Sequence, residues 1–370
     1  MPDGPVTLSR VAREAGVSLA TASRAINGSA TRTVRPELRE RVLAAAEALG
    51  YVPDPSAQAM ARGRTAALGL VVHDIADPYF SAIASGVSRA AEAEGLIVTL
   101  SSTEQHPERE LGFVDLVRRQ RGRAVILAGS RVVSDDAGAG PATSALTGGN
   151  LQETLTAFQE SGGGVATIGQ AIGTLPVVEI DNAGGAAALA RELHGLGYRR
   201  FGILSGPPAL RTASDRTAGF RDMIRSLGGE VRDDDVVAGE FTRDGGYAAM
   251  ERLAAGAHGD LPDLVFAVND VMAVGAMAAV RHAGMSVPDD VAVAGFDDIP
   301  TLRDVTPELT TVHIALERIG EAATRLALGI PTSLDRASGD GASDGLEATS
   351  SRSITVHGEI RLRASTPPAP

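Results

Sequence analysis

Residues 7–27, TLSRVAREAGVSLATASRAIN, constrain this 370-residue chain more than any other stretch, because they prescribe two short helices joined by a tight turn. Thr7 stands where it can cap a first helix, in which Leu8, Val11, Ala12 and Ala15 recur at helical spacing on one face. Gly16 supplies a turn residue that tolerates left-handed backbone. Ser18 then caps a second helix, with Ala22 and Ile26 inward and Leu19, Ala20, Ser23 and Arg24 outward. Neither start is a full capping box, since Arg10 and Thr21 stand where a Glu or Gln would complete it. A pair of this kind is either a plain corner of a core or a helix-turn-helix that lays its second helix in the major groove of DNA.

The residues that follow favour the second alternative. In RPELRERVLAAAEALGY, Pro36 suits a first helical turn, Val42, Ala45 and Leu49 form a stripe, and Gly50 ends the helix. Three short helices make a compact head over residues 1–53. Residues 55–62 are too few to hold an isolated helix, so 54–65 reads as a linker or as a helix that forms on binding. Residues 1–64 carry nine Arg and six acids, a surplus of three positive charges on a chain whose net charge is −12. A short basic module on an acidic body fits local phosphate contact, with the body repelled from the duplex. There is no cysteine, which excludes a disulfide framework and thiolate chemistry. No run reaches the roughly 18–20 apolar residues of a membrane span and the first residues lack a signal-peptide pattern, so a cytoplasmic protein without a membrane partner is expected. All the basic residues are Arg, a bias that fits GC-rich coding.

Beyond residue 65 apolar runs alternate with helical patterns: ALGLVV (67–72), LIVTLS (96–101), AVILA (124–128), RFGILS (200–205), LVFAV (264–268) and VAVAGF (291–296). That alternation predicts parallel sheets covered by helices, and the length suits two lobes. Ligands of open α/β sheets bind at the carboxyl ends of strands, so the residues just after these runs are the ones to examine. Two stretches, 134–150 and 331–351, are rich in Gly, Ser, Ala and Asp and read as flexible surface loops. ITVHGEIRLR should return as strands, and STPPAP reads as a frayed tail. Enzyme signatures are weak. GASDG (341–345) matches the G-x-S-x-G elbow but has neither the strand before it nor the helix after it. The seven His show no metal-binding spacing. No catalytic activity, cofactor or metal is expected.

Taken together, TLSRVAREAGVSLATASRAIN, RERVLAAAEALGYVPDPSAQAMARGRT and ALGLVVHDIADPYF resemble the LacI/GalR family of transcription repressors, over nearly the whole chain. The resemblance implies a small all-α helix-turn-helix head with a hinge helix, followed by a two-lobed α/β periplasmic-binding-protein-like domain. The body would span 66–370, with a lobe boundary near 177–180 and the chain crossing back near 298–330. Carried over residue by residue, Leu19, Ala20 and Arg24 take the base-reading positions, Arg24 being suited to a bidentate contact with guanine. Ser18, Thr21 and Asn27 match phosphate-holding positions. Met60 takes the place of the apolar wedge that enters the minor groove, and Ala57 that of the small residue between paired hinges. Arg35 stands where relatives cap the third helix with Ser or Thr.

For the effector, the resemblance points to Arg216 and Asp270, with Phe241 at a ring-stacking position. Tyr79, Phe80, Asn269 and Asp297 follow strand runs and join the candidates. The alternative for Arg216 and Asp270 is a structural ion pair, and for Phe241 a place in the core. Gly169 and Gln170 stand where relatives often carry a charge, which implies an effector unlike those of the best-known sugar repressors. The reading is a dimeric repressor of a palindromic operator, released or engaged by a small molecule of carbohydrate type. The competing reading, an exported solute-binding protein of a transporter, would need a signal peptide and no helix-turn-helix.

Overall fold

The computed structural model describes residues 6–27, 33–52, 63–130, 150–256, 260–331 and 345–369. Contacts divide the chain into two units, Met1–Ala66 and Ala67–Pro370. In the first, α1 (Leu8–Glu14), α2 (Leu19–Asn27) and α3 (Pro36–Ala48) enclose a core built largely of small side chains: Val11, Ala12, Ala15, Ala22, Ala25, Val42 and Ala45. Ala25 was not marked by the sequence pattern, and Ile26, placed inward, is only half-buried. Gly16 (φ +63°) and Gly50 (φ +64°) close α1 and α3, with Val17 N–H donating to Ala12 O and Tyr51 N–H to Ala46 O. Of the two expected caps only Ser18 forms, its Oγ accepting from Thr21 N–H at 3.1 Å. Thr7 holds the cap position with no side-chain bond, so α1 starts on backbone groups alone.

The second unit contains two parallel sheets. Chain order runs β1 (Ala67–Val72), α4 (Pro78–Ala93), β2 (Ile97–Ser102), α5 (Pro107–Arg119), β3 (Ala124–Ala128), α6 (Asn150–Glu160), β4 (Gly164–Gly169) and β5 (Val177–Ile180). It continues through α7 (Asn182–Gly195), β6 (Phe201–Leu204), α8 (Arg211–Ser226), β7 (Val236–Val237), α9 (Arg243–Gly256), β8 (Leu264–Ala267), α10 (Asp270–His282) and β9 (Ala292–Ala294). Last come β10 (Thr311–His313), α11 (Leu316–Leu328), β11 (Leu346–Ser350), β12 (Ser353–Val356) and β13 (Glu359–Arg361). Lobe 1 is a seven-stranded sheet ordered β11-β12-β5-β4-β3-β1-β2; lobe 2 is a four-stranded sheet ordered β7-β6-β8-β9. All ladders in both are parallel except β11–β12. β1 and β3 keep the limits of their apolar runs because helices cover both sheet faces, so nearly every residue of the run is buried.

The chain passes between the lobes three times: from β5 into α7, from β10 into α11, and from β12 into β13. β5 lies in the lobe 1 sheet, so the first passage leaves after Ile180, and the second enters α11 at Leu316. The third passage has no signal in the sequence. Asp181 N–H donates to Val356 O at 2.9 Å, which ties the first passage to the third. Close helix crossings hold the layers. A Cβ on Gly86 of α4 would collide with Glu317 O, and one on Gly320 of α11 with Ile83 O. Gly246 and Gly275 do the same for α9 and α10.

Two expectations need correction. Within 331–351, residues 346–350 form strand β11 rather than loop, because β12 supplies an antiparallel partner that composition alone cannot reveal. Residues 332–344 and 131–149 lie outside the described residues. The closing STPPA is pinned, not frayed. Thr310 N–H donates to Ser365 Oγ (2.8 Å), Ser365 Oγ donates to Val293 O (2.6 Å), Tyr198 OH donates to Pro367 O (2.7 Å), and Ala369 N–H donates to Leu196 O (2.8 Å). Among the described residues no helix is long and apolar enough to cross a membrane.

Candidate DNA-reading surface and ligand cavity

In the first unit, burying Ala22 and Ala25 leaves the opposite face of α2 outward. Leu19 is 52% exposed, Ser18 and Ala20 are exposed, and Thr21, Arg24 and Asn27 are half-buried. Arg24 makes no ion pair among the described residues, so its fork is available to a partner. Ser18 Oγ and Thr21 Oγ1 lie 2.8 Å apart at the start of α2, and Asn27 Nδ2 donates to Ser23 Oγ at 3.3 Å. Thr7 is exposed ahead of α1. Hydroxyls, the Asn27 amide and the Arg24 guanidinium share this surface, groups that suit phosphate oxygens and a guanine edge. Ala57 and Met60 lie outside the described residues.

In the second unit a cavity of about 500 Å³ opens between the lobes at the carboxyl ends of the strands. Lobe 1 contributes the segment after β1, with His73, Asp77, Tyr79 and Phe80, and Ser130 after β3. Lobe 2 contributes Thr212, Arg216, Phe241, Asn269 and Asp297. Tyr79 and Phe80 meet edge to face, with centroids 5.0 Å apart. Two bonds cross the cleft: Thr212 N–H donates to Ser130 Oγ (3.2 Å), and Gln170 Nε2 donates to Thr212 Oγ1 (3.4 Å). Gln170 therefore ties the lobes together beside the cavity and is not part of its wall.

Arg216 is fully buried and held on three sides. Its Nε donates to Asn182 Oδ1, one Nη to Val268 O and the other to Asp297 Oδ1, each at 2.8 Å, and its guanidinium lies 3.7 Å over the Phe296 ring. Asp297 is fixed at φ +117°, a conformation that costs a non-glycine residue about 1–3 kcal/mol and turns its carboxylate toward the cavity. Burial pushes the Asp297 carboxyl up to about 6 against the pull of Arg216. The Tyr79 hydroxyl is raised above its usual range by burial and by Asp297. Asn269 caps α10, its Oδ1 accepting from Met272 N–H at 2.9 Å, which leaves its Nδ2 on the cavity side.

Asp270 is the exception among the expected residues. As the first residue of α10 it turns away from the wall, with Oδ2 accepting from Ile299 N–H (3.0 Å) and Oδ1 from the Thr311 hydroxyl (2.7 Å). Burial, with Asp297 nearby, pushes its carboxyl up to about 7. The structure thus brings Tyr79, Phe80, Arg216, Phe241, Asn269 and Asp297 together on one cavity and leaves Asp270 and Gln170 off its wall. Sequence reasoning missed His73, Asp77, Ser130 and Thr212. The first three follow directly on strand runs, a signal the sequence does carry.

A helix-turn-helix head in one unit and a two-lobed clamp around a cavity in the other define a ligand-responsive DNA-binding transcription regulator. Residues 7–54 match bacterial regulatory proteins of the lacI family, and residues 190–343 match the periplasmic binding protein-like domain. The HTH-type transcriptional regulator GalS of Salmonella typhimurium is 32% identical over 325 residues, 87% of this chain and 89% of that protein. The repressor CytR of Escherichia coli (strain K12) is 31% identical with the same coverage. Among solved structures, a CelR–cellobiose complex shares 30% identity at a TM-score of 0.63, covering 97% of this chain and 99% of that one. A lac repressor dimer bound to operator and an anti-inducer matches at 0.76 with 22% identity, over 98% of this chain and 99% of that one, and so shares its fold. The chain belongs to the LacI family of bacterial transcription regulators.

Proposed function

We propose that this chain is a dimeric repressor that holds a two-fold symmetric operator through residues 1–53 and a hinge at 54–65, and that a sugar bound between its lobes releases it. Arg24, Leu19 and Ala20 read bases; Ser18, Thr21 and Asn27 hold phosphates, and the exposed Thr7 contacts the DNA ahead of α1. Met60 wedges the central minor-groove step, with Ala57 between the paired hinges. The observation that carries the ligand half is the cavity wall, where the rings of Tyr79, Phe80 and Phe241 stand beside the hydrogen-bonding groups of Asn269 and Asp297. Flat apolar faces next to fixed polar groups suit a sugar ring, whose hydroxyls lie around an apolar face. A solute-binding protein of a transporter would have no use for α1–α3.

Selection of bound duplexes from a random DNA pool, followed by titration of the recovered site with sugars, tests both halves. A palindrome with a flexible central step, released by one sugar, is the expected result. Enrichment of no sequence removes the operator half. A sugar that tightens the complex reverses the sign and makes the ligand a co-repressor.

A further inference from the structure

Four helices, α4, α8, α9 and α10, begin at the cavity wall, and at two of them, α4 and α10, acids already occupy the start. Asp77 caps α4, its Oδ1 accepting from Tyr79 N–H at 2.9 Å. α10 has Asn269 as its cap and Asp270 in its first turn. A helix N-terminus attracts anions through its unbonded N–H groups and its dipole. At α4 and α10 that positive end is met by the chain's own side chains before any ligand arrives. The buried cation is committed as well, because Arg216 is bonded to Asn182, Val268 and Asp297. Of the other basic groups on the wall, Arg243 is exposed, and His73 has the Glu110 carboxylate 4.0 Å away. Asp74 adds a further negative charge beside Asp77.

What stays open toward the cavity is hydrogen-bonding capacity. Asn269 Nδ2 and the second carboxylate oxygens of Asp77 and Asp297 have no partner among the described residues, and Asn269 and Asp297 are only 2% and 4% exposed. We infer that Asp77 determines specificity: its unpaired oxygen accepts a hydroxyl from an uncharged ligand and repels phosphorylated or carboxylated counterparts of that ligand. This rests on the cavity being the effector site. An anion placed there meets the carboxylates of Asp74, Asp77 and Asp297 and a buried guanidinium, Arg216, that is already engaged; the other guanidinium on the wall, Arg243, is exposed, where solvent screens its charge, so like-charge juxtaposition outweighs it. Burial holds the Asp77 carboxyl above its usual range, as expected where negative charge is in surplus.

The test is titration calorimetry on the full chain with two matched pairs, glucose against glucose 6-phosphate and cellobiose against cellobionate, for the wild type and Asp77→Asn. Asn keeps the cap on Tyr79 N–H while removing the charge, and Asp77→Ser serves as a second cap-retaining variant should the first fold poorly. The wild type should bind a neutral member about tenfold or more tighter than its anionic counterpart. Asp77→Asn should narrow that gap by strengthening the anion. Equal wild-type affinity within a pair, an unchanged gap in the variant, or binding of neither neutral sugar overturns the inference. Operator release, read separately by anisotropy of a labelled duplex, keeps the two readings apart. Neutral binding without release sinks the proposed function and leaves the role of Asp77 standing. Release by both members of a pair does the reverse.

Discussion

Asn269 and Asp270 are neighbours in sequence and part company in the fold. Both follow β8, but the first residues of a helix point around its axis, so Asn269 faces the cavity while Asp270 enters the core. A sequence shows that an acid follows a strand; it does not show which way the helix start turns it. Asp270→Ala should therefore cost about 1–3 kcal/mol of stability, by leaving Ile299 N–H and the Thr311 hydroxyl unpartnered. Ligand affinity should change little, which calorimetry and melting together would show. Asp270→Asn reproduces the protonated acid, since its amide can donate to Thr311 and its oxygen accept from Ile299. The folded carboxyl lies near 7 against an ordinary 3.8, so its contribution to stability is complete below the ordinary value and is lost as pH rises through about 7. From pH 5 to pH 8 the wild type should lose melting temperature relative to Asp270→Asn; parallel curves would rule this linkage out. On α2, Arg24→Ala should weaken operator binding by about 1–3 kcal/mol and relax one base pair per half-site, as a duplex panel would read out.

Elements were legible where burial made them so. β1 and β3 are covered on both faces, and unbroken apolar runs mark them to the residue. β11 was not legible, because LEATS lies at a sheet edge, mostly exposed, where its only signal is a partner strand. The tail was misread for a related reason: Ser365 and Thr366 are polar and small, yet both are buried, and hydrogen bonds rather than apolar area hold them. The glycine crossings belong to this scale too. Gly320→Val should force α11 away from α4 at a point where only backbone fits, destabilising lobe 1 by about 1–3 kcal/mol or more. Chemical denaturation would register this as a lower midpoint, and an unchanged midpoint would mean the crossing has slack.

For the molecule as a whole, ligand and operator must act on each other equally. If a sugar weakens operator binding by some factor, saturating operator must weaken the sugar by the same factor, typically about 5–150-fold. Titrations in both orders, at one salt concentration, measure the two factors; unequal values would show that a further equilibrium, such as dimer dissociation, is involved. The architecture was readable from the alternation of runs and from the head, whereas the charge balance of the cavity wall was not, because it depends on which charges already satisfy one another.

Leu196 and Tyr198, at the start of lobe 2, bond residues 369 and 367, and Val293 and Thr310 both bond Ser365. During synthesis, then, neither lobe is complete before β12 has been made. Lobe 1 waits for β12 to reach β5, and lobe 2 stands with open seams until residues 365–369 have been made. A nascent chain stalled before β12 would expose both half-built lobes to chaperones and proteases at once, whereas one stalled between β12 and Ser365 would leave the seams of lobe 2 open.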